Sequence, residues 1–363
     1  MLAYIVRRLL LIIPTLFAIM VINFAVIQAA PGGPVEQVIA ELKGTAVGAS
    51  ARFGGGGGDV GGGASSANPN QSRGARGLDQ RIIDQLKVQY GFDKPPVERF
   101  ILMMRQYLTF DFGRSYTHDR PVVQLIREKL PVSISLGLWT TLITYLVSIP
   151  LGIKKAVRDG STFDVSTSTV IFVGYSIPSF LFAVLLIVLF AGGTYWNWFP
   201  LRGLTSDNWV SLDWPHRILD YLWHITLPTT ALVIGSFANI TMLTKNSFLE
   251  EIHKHYVVTA RAKGLSERRV LYGHVFRNAM LLVIAGFPAA FIGILFTGTF
   301  LIESIFSLDG LGLLGYEAAI NRDYPIMFST LYVFTLVGMV MKLITDLTYT
   351  VVDPRIDFGT RGA

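Results

Sequence analysis

Residues 132–152 read VSISLGLWTTLITYLVSIPLG, an apolar run without one charged side chain. A helix needs about 20 such residues to cross the hydrocarbon core of a bilayer. Five further apolar runs surround it, at 9–30, 165–190, 225–243, 279–302 and 327–349, the last with Lys342 and Asp346 inside it. Together they predict an all-α membrane protein of about six transmembrane helices. Composition agrees, since 51% of the 363 residues are apolar and only 15% are charged, against roughly a quarter charged in soluble globular chains. Pro178 and Pro288 fall inside two of the runs. Prolines are tolerated there because neighbouring helices and hydroxyl groups satisfy the freed carbonyls, and they make natural bend points.

The first run, preceded by Arg7 and Arg8, is longer than the roughly 7–15 apolar residues of a secretory signal, and Pro31 follows Ala29-Ala30 where a cleavage site would fall. It reads as a retained anchor helix over 1–30. Orientation follows from Lys and Arg in the short connections. With Met1 in the cytoplasm, the inner segments carry Arg7, Arg8, Lys154, Lys155, Arg158, Lys245, Lys254, Arg261, Lys263, Arg268, Arg269, Arg277, Arg355 and Arg361. The short outer connections carry only Arg202, Arg217 and Arg322. Both termini are therefore expected inside, with a core bundle over 132–350 and a cytoplasmic tail at 351–363. The formal net charge of +6 is accounted for by these topology-setting residues, with no nucleic-acid partner.

The long connection 31–131 lies outside in this scheme. Its part 44–77 is glycine-rich, with Gly among Ser, Ala and Asn, and such a composition is expected to stay disordered. Leu78, Ile82, Ile83, Leu86 and Tyr90 then recur at helical spacing. A second amphipathic stretch, 95–110, carries Phe100, Ile101, Met103, Met104, Tyr107 and Leu108. It is too short to span. Lying on the outer membrane surface, docking on a partner and packing on the bundle all remain open for it. The outer loop 192–224 holds Trp196, Trp198, Trp209, Trp214 and Trp223, which fits an interfacial aromatic belt or a docking surface. Gly310, Gly312 and Gly315 match a dinucleotide fingerprint in form. They follow a membrane helix rather than a strand, so a tight re-entrant turn is expected instead.

The connection 244–278 is the most informative. Its centre runs from Tyr256 to Val270 as YVVTARAKGLSERRV. Residues 247–263 are good helix formers, Gly264 suits a left-handed helix end, Ser266 suits an N-cap, and Glu267 suits the positive end of the next helix. The expected element is helix, glycine turn, helix, with small residues Ala260 and Ala262 permitting close approach by another protein.

The run Thr259, Ala260, Arg261, Ala262, Lys263, Gly264, Leu265, closed by Ser266, resembles the ATPase-coupling loop, the so-called EAA loop, of ABC importer permeases, and in particular of the dipeptide and oligopeptide branch. His274 to Ala279, Tyr4 to Pro14, Ala30 to Pro34, Phe112 to Ser115, Asn321 to Pro325 and Leu347 to Arg355 are similar to further family segments, in the family's order. Val258 and Thr259 stand where the general pattern begins with Glu, and Leu282 stands where relatives often have Pro. The glycine-rich insert resembles that of the microcin C-type peptide importer permeases. The resemblance implies a type I-like importer permease fold in the bacterial inner membrane. It also implies a second homologous permease, two ABC ATPase subunits that bind ATP and Mg, and a periplasmic peptide-binding protein. The chain has no Gly-x-x-x-x-Gly-Lys-[Ser/Thr] run of its own, so no cofactor is expected in it, and no catalysis.

Polar groups inside a membrane are candidates for function. Lys342 and Asp346 lie four apart on the last run and are expected to pair. Asn23, Gln28, Asn239 and Glu303 are candidates for lining a path, with snorkelling the alternative for Glu303. His253 and His255 beside Glu250 and Glu251 match no common zinc spacing, and the absence of cysteine excludes thiolate sites, so no metal is expected. A secondary transporter or channel for small polar solutes shares the helices and orientation, but has no need of the projecting loop.

Overall fold

The computed structural model describes residues 2–29, 94–193, 195–297 and 300–352. The glycine-rich stretch 44–77, the helix expected over 78–90 and the segments around Pro31 and Arg355 lie outside them. The described residues form twelve helices when the continuous stretch Glu267–Ala279 is taken as one. They are α1 (Leu2–Ala29), α2 (Pro96–Leu108), α3 (Val122–Val157), α4 (Thr162–Ser176), α5 (Ser179–Phe190), α6 (Trp214–Ile252), α7 (His255–Ala262), α8 (Glu267–Ala279), α9 (Leu281–Thr297), α10 (Phe300–Ile305), α11 (Leu311–Ile320) and α12 (Tyr324–Val352). Among them α1, α3, α6 and α12 contain single spans long and apolar enough to cross a membrane.

Two bent pairs bring the spans up to six if each pair is counted as one span. Helices α4 and α5 meet at 94°, and α8 meets α9 at 50°. The straight run expected over 165–190 is thus broken. Pro178 cannot donate to the helical ladder and holds the residue before it extended, so Ile177 sits at φ −86, ψ 120. Span limits also move. Helix α3 starts at Val122, ten residues ahead of the apolar run, and carries Pro131 and Pro150 within one 36-residue helix. The boundary expected at 131 therefore falls inside a helix.

Two compact units divide the chain: Met1–Ile13 with Glu128–Leu314 and Phe334–Ala363, and Pro14–Arg127 with Gly315–Val333. The first has two apolar cores. One joins Leu136 of α3, Ala183 and Leu186 of α5, Ile225 and Ala231 of α6, and Ile302 of α10. The other joins Tyr145, Ile153 and Ala156 of α3 to Phe248 of α6, Val257 and Ala260 of α7, Val270 and Val275 of α8, and Val283 of α9. Helices α3 and α6 approach closely. The Ser148 hydroxyl donates to the Phe237 carbonyl at 3.3 Å, and a Cβ on Gly152 would lie 2.7 Å from Thr244 Cβ and 2.8 Å from the Thr241 carbonyl. Small residues at this contact let backbones approach where apolar burial alone drives no association.

The second unit is held by rings. Phe24 stacks on Phe328 at 5.9 Å, Phe100 meets Phe17 and Phe24 edge-on, and Tyr107 meets Phe112 and Tyr332. The buried Asp323 carboxylate accepts from the Ser115 hydroxyl at 2.6 Å, the Thr117 hydroxyl at 2.8 Å and the Thr117 amide at 3.0 Å. Two separate sequence segments, 112–115 and 321–325, therefore meet at one carboxylate. In the Trp-rich loop, Trp196 and Trp198 stack at 5.3 Å and both stay exposed.

Candidate functional site

The site is built on α7 and α8. The expected single helix over 247–263 is broken at Lys254, which is extended at φ −75, ψ 150. The Glu251 carboxylate pins that break. It pairs with the Lys254 ammonium and accepts the Tyr256 hydroxyl at 2.6 Å. The same carboxylate raises the proton affinity of Lys254. Burial first, and then this hydrogen bond, push the Tyr256 phenol above its ordinary range. No Gly or Pro marks the break, so periodicity alone runs straight through it.

The end of α7 is the glycine turn that the sequence implies. Gly264 has φ +78, its amide donates to the Arg261 carbonyl at 2.9 Å, and the Leu265 amide donates to the Ala260 carbonyl at 3.4 Å. This pair of bonds is a Schellman cap, in which the left-handed residue is glycine because it carries no Cβ. Leu265 folds back onto the core that holds Ala260, which supplies the apolar contact common to such caps. Arg261 bridges the turn to Glu267 with two bonds of 2.9 and 3.1 Å. Ser266 occupies the N-cap position, yet its hydroxyl makes no capping bond; its carbonyl takes the Val270 amide.

The two faces of α7 differ. Val257 and Ala260 are buried, whereas Val258, Thr259, Ala262 and Lys263 are exposed. The small, partly apolar outer face is flanked by exposed Tyr272 and by Lys263, Arg268 and Arg269, which make no ion pair among the described residues. Residues Leu271–Val275 of α8 wind as a π turn, a feature concentrated at functional sites.

A second cluster, not anticipated from sequence, lies where α6 approaches α4. The Asp164 carboxylate is paired with Lys155 at 2.9 Å and Lys245 at 2.7 Å, and Lys245 also reaches Asp159 at 2.8 Å. Lys155 is fully buried, and its ammonium is completed by the Asp164 carbonyl, Thr167 and Ser168. Two cations and two anions balance, which is what burial of charge demands. The readable signal was Ser161 three residues before Asp164, an N-cap pattern. The Ser161 hydroxyl does accept the Asp164 amide, at 3.3 Å.

The remaining candidates separate. Lys342 and Asp346 do not pair. Lys342 is exposed, and Asp346 takes Arg8 at 2.8 Å and the Tyr4 hydroxyl at 2.8 Å, because α1 brings a better donor pair to it. Glu303 neither snorkels nor stands on an open path. It is fully buried and accepts the Leu313 amide at 2.6 Å and the Ser133 hydroxyl at 3.4 Å, while Ser133 accepts the Leu311 amide. The Glu303 carboxyl thus sits at the start of α11, where free amides can donate to it. Gly310 is required there, since a Cβ would collide with that carboxylate. Asn23 bonds back to the Ile19 carbonyl of its own helix, Gln28 accepts from Arg99, and Asn239 is exposed. Among the described residues, no group of acidic, His or Cys side chains could hold a metal.

A multi-pass helical bundle with a capped helical finger defines a membrane permease. Residues 148–358 match the family described as binding-protein-dependent transport system inner membrane component, and the chain belongs to that family. It is 62% identical over 360 residues to the peptidoglycan transport system permease protein YejB of Agrobacterium fabrum, covering 99% of each chain. It is 59% identical to the inner membrane ABC transporter permease protein YejB of Escherichia coli O157:H7, over 99% of this chain and 100% of that one. Identity is 31% to the oligopeptide transport system permease protein AppB of Bacillus subtilis, with the same coverage. A chain of the inward-facing MetNI methionine ABC transporter shares the fold, with TM-score 0.50, 15% identity, and coverage of 63% of this chain and 97% of that chain. The type I-like importer permease fold and the inner-membrane location implied by the sequence are both met.

Proposed function

We propose that this chain is the permease subunit of an ATP-driven importer of peptides or peptide-like compounds, with its hydrolytic chemistry in partner subunits. The reading is carried by the outer face of α7, a small, exposed surface beside three unpaired cations on an element capped at Gly264. The face suits a groove with acidic margins on an ATPase subunit. ATP and Mg are bound by that partner and not by this chain, which is non-catalytic. A second homologous permease and a periplasmic binding protein complete the assembly, and both termini of this chain lie in the cytoplasm. The names carried by the relatives, peptidoglycan and oligopeptide transport, support a peptide-type cargo. Closure of the ATPase pair displaces α7, and the bundle rocks between its two access states.

The test is purification of the tagged chain from the membrane, followed by reconstitution. The expected result is co-purification of nucleotide-hydrolysing subunits and uptake of peptide that stops without ATP. Uphill uptake by the isolated chain would overturn the proposal and favour a secondary transporter.

A further inference from the structure

We propose that α2 is an interfacial anchor, its outer face of Val97, Ile101 and Leu108 seated in the lipid boundary of the leaflet at the Ala29 end of α1. This helix of 13 residues is apolar on two faces. The inner face is committed: Phe100 lies edge-on to Phe17 at 5.8 Å and to Phe24 at 5.3 Å, and Tyr107, 3% exposed, lies against Phe112 and Tyr332. The outer face is not, with Val97, Ile101 and Leu108 exposed at 70%, 61% and 73%.

The depth of α2 identifies what covers that face. Phe24 stacks on Phe328, and each lies four or five residues from a helix end, so Ala29 and Tyr324 stand at one level. At 1.5 Å per residue, Tyr332 lies about 12 Å below Tyr324. Phe100, seated between Phe17 and Phe24, lies about 13 Å below Ala29. Both ends of the inner face share this depth, so α2 runs along the membrane plane. Helix α1 is about 42 Å long and the hydrocarbon core about 30 Å thick, which leaves about 6 Å of helix beyond the core at each end. The rings of the inner face then lie about 6–7 Å inside the core boundary, within the ~5–10 Å to which the apolar faces of interfacial amphipathic helices are buried.

The polar groups conform. Arg99 donates to Gln28 in the last turn of α1 at 3.0 Å, reaching toward the headgroups as snorkelling cations do. Beyond Leu108 the chain reverses through Phe110 and Gly113, both at positive φ, and climbs to Ser115, which is bonded to Asp323 at the start of α12. A soluble protein does not reach this depth, and a bare apolar face there is matched by acyl chains; cover by another membrane subunit is the outcome the test separates.

The chain has no cysteine, so single replacements Ile101→Cys and Leu108→Cys give unique bimane sites. Arg114→Cys, next to Ser115, is the control above the boundary. The complete transporter is placed in phosphatidylcholine vesicles with or without bromine on the acyl chains, and the signal of the complex with the unsubstituted chain is subtracted. The expected result is that bromine removes most of the fluorescence at 101 and 108 and leaves 114 unchanged. Two results overturn the proposal: bromine-insensitive probes at 101 and 108 that soluble iodide quenches, which means water, and probes at both positions that neither agent quenches. The latter means cover by residues 30–93 or by another subunit.

Discussion

Replacing Gly264 tests whether the α7 cap is held by backbone conformation or by room for a side chain. The residue sits at φ +78, and no heavy atom outside its neighbours lies within 4 Å of where its Cβ would be. Substitution therefore meets no wall within this chain, and its cost is conformational. An L-residue in the left-handed region costs roughly 1–2 kcal/mol, Asn least because its side chain bonds locally, and a β-branched residue most. Gly264→Asn is expected to cost a few tenths of a kcal/mol, Gly264→Ala about 1 and Gly264→Val about 2 or more. At ~1.4 kcal/mol per factor of ten, Ala opens the cap about fivefold more often and Val about thirtyfold. Hydrogen exchange at the amides of Gly264 and Leu265, the two donors of the cap, reads this opening directly, and cargo-stimulated ATP hydrolysis in vesicles reads its consequence. Exchange at these amides should rise, and cargo-stimulated hydrolysis should fall, in the order Gly, Asn, Ala, Val. Side-chain size gives the other order, with Asn worse than Ala. If Ala outperforms Asn, the position is limited by contact with a partner and the backbone argument fails.

Further substitutions probe the charge clusters. Asp164→Asn leaves the fully buried Lys155 ammonium with neutral acceptors only, a loss of about 3 kcal/mol or more; it should show as a lower unfolding midpoint in detergent, largely restored by adding Lys155→Met, and an unchanged midpoint would refute the cluster. Lys342→Gln should move stability by no more than about 0.5 kcal/mol, while Arg8→Gln, which strips Asp346 of its cation, should cost about 1 kcal/mol; the reverse ranking would restore a pair within α12.

The sequence patterns carried most of the spans and the cap, for local reasons. Apolar runs placed α1, α3, α6 and α12, and Gly264 between helix formers placed the turn. What they missed depends on distant or subtle chemistry. Helix α3 begins at Val122 and runs through Arg127, Glu128 and Lys129, where hydropathy is low; Lys129 is neutralised there by Asp309 and shielded to 11% side-chain exposure. The Lys342–Asp346 expectation respected spacing along one helix, but Arg8 arrives from 338 positions away. Lys155 and Lys245 read as topology-setting charges; that Asp164 unites them follows only once α4 and α6 are folded. Glu303 looked like a lone intramembrane acid, and its partners are the Leu313 amide, which no residue type announces, and the Ser133 hydroxyl, 170 positions away.

The geometry of the first unit constrains how a push on α7 spreads. Val257 and Ala260 are packed in the same core as Phe248 of α6, Tyr145 and Ile153 of α3 and Val283 of α9. Close-packed interiors transmit displacement rather than absorb it, so α7 cannot shift without carrying those helices. Seven residues before Ile252, Lys245 ties α6 to Asp164 at the start of α4, and the Gly152 contact holds α3 against α6 with no room for a Cβ. The finger is thus packed against three spans, and one of these, α6, is tied by charge to a fourth. Its outer face and three free cations remain uncommitted. An element packed on one side and exposed on the other suits the docking proposed for α7, and the returning chain departs from a regular helix at the π turn Leu271–Val275 and at the 50° bend into α9.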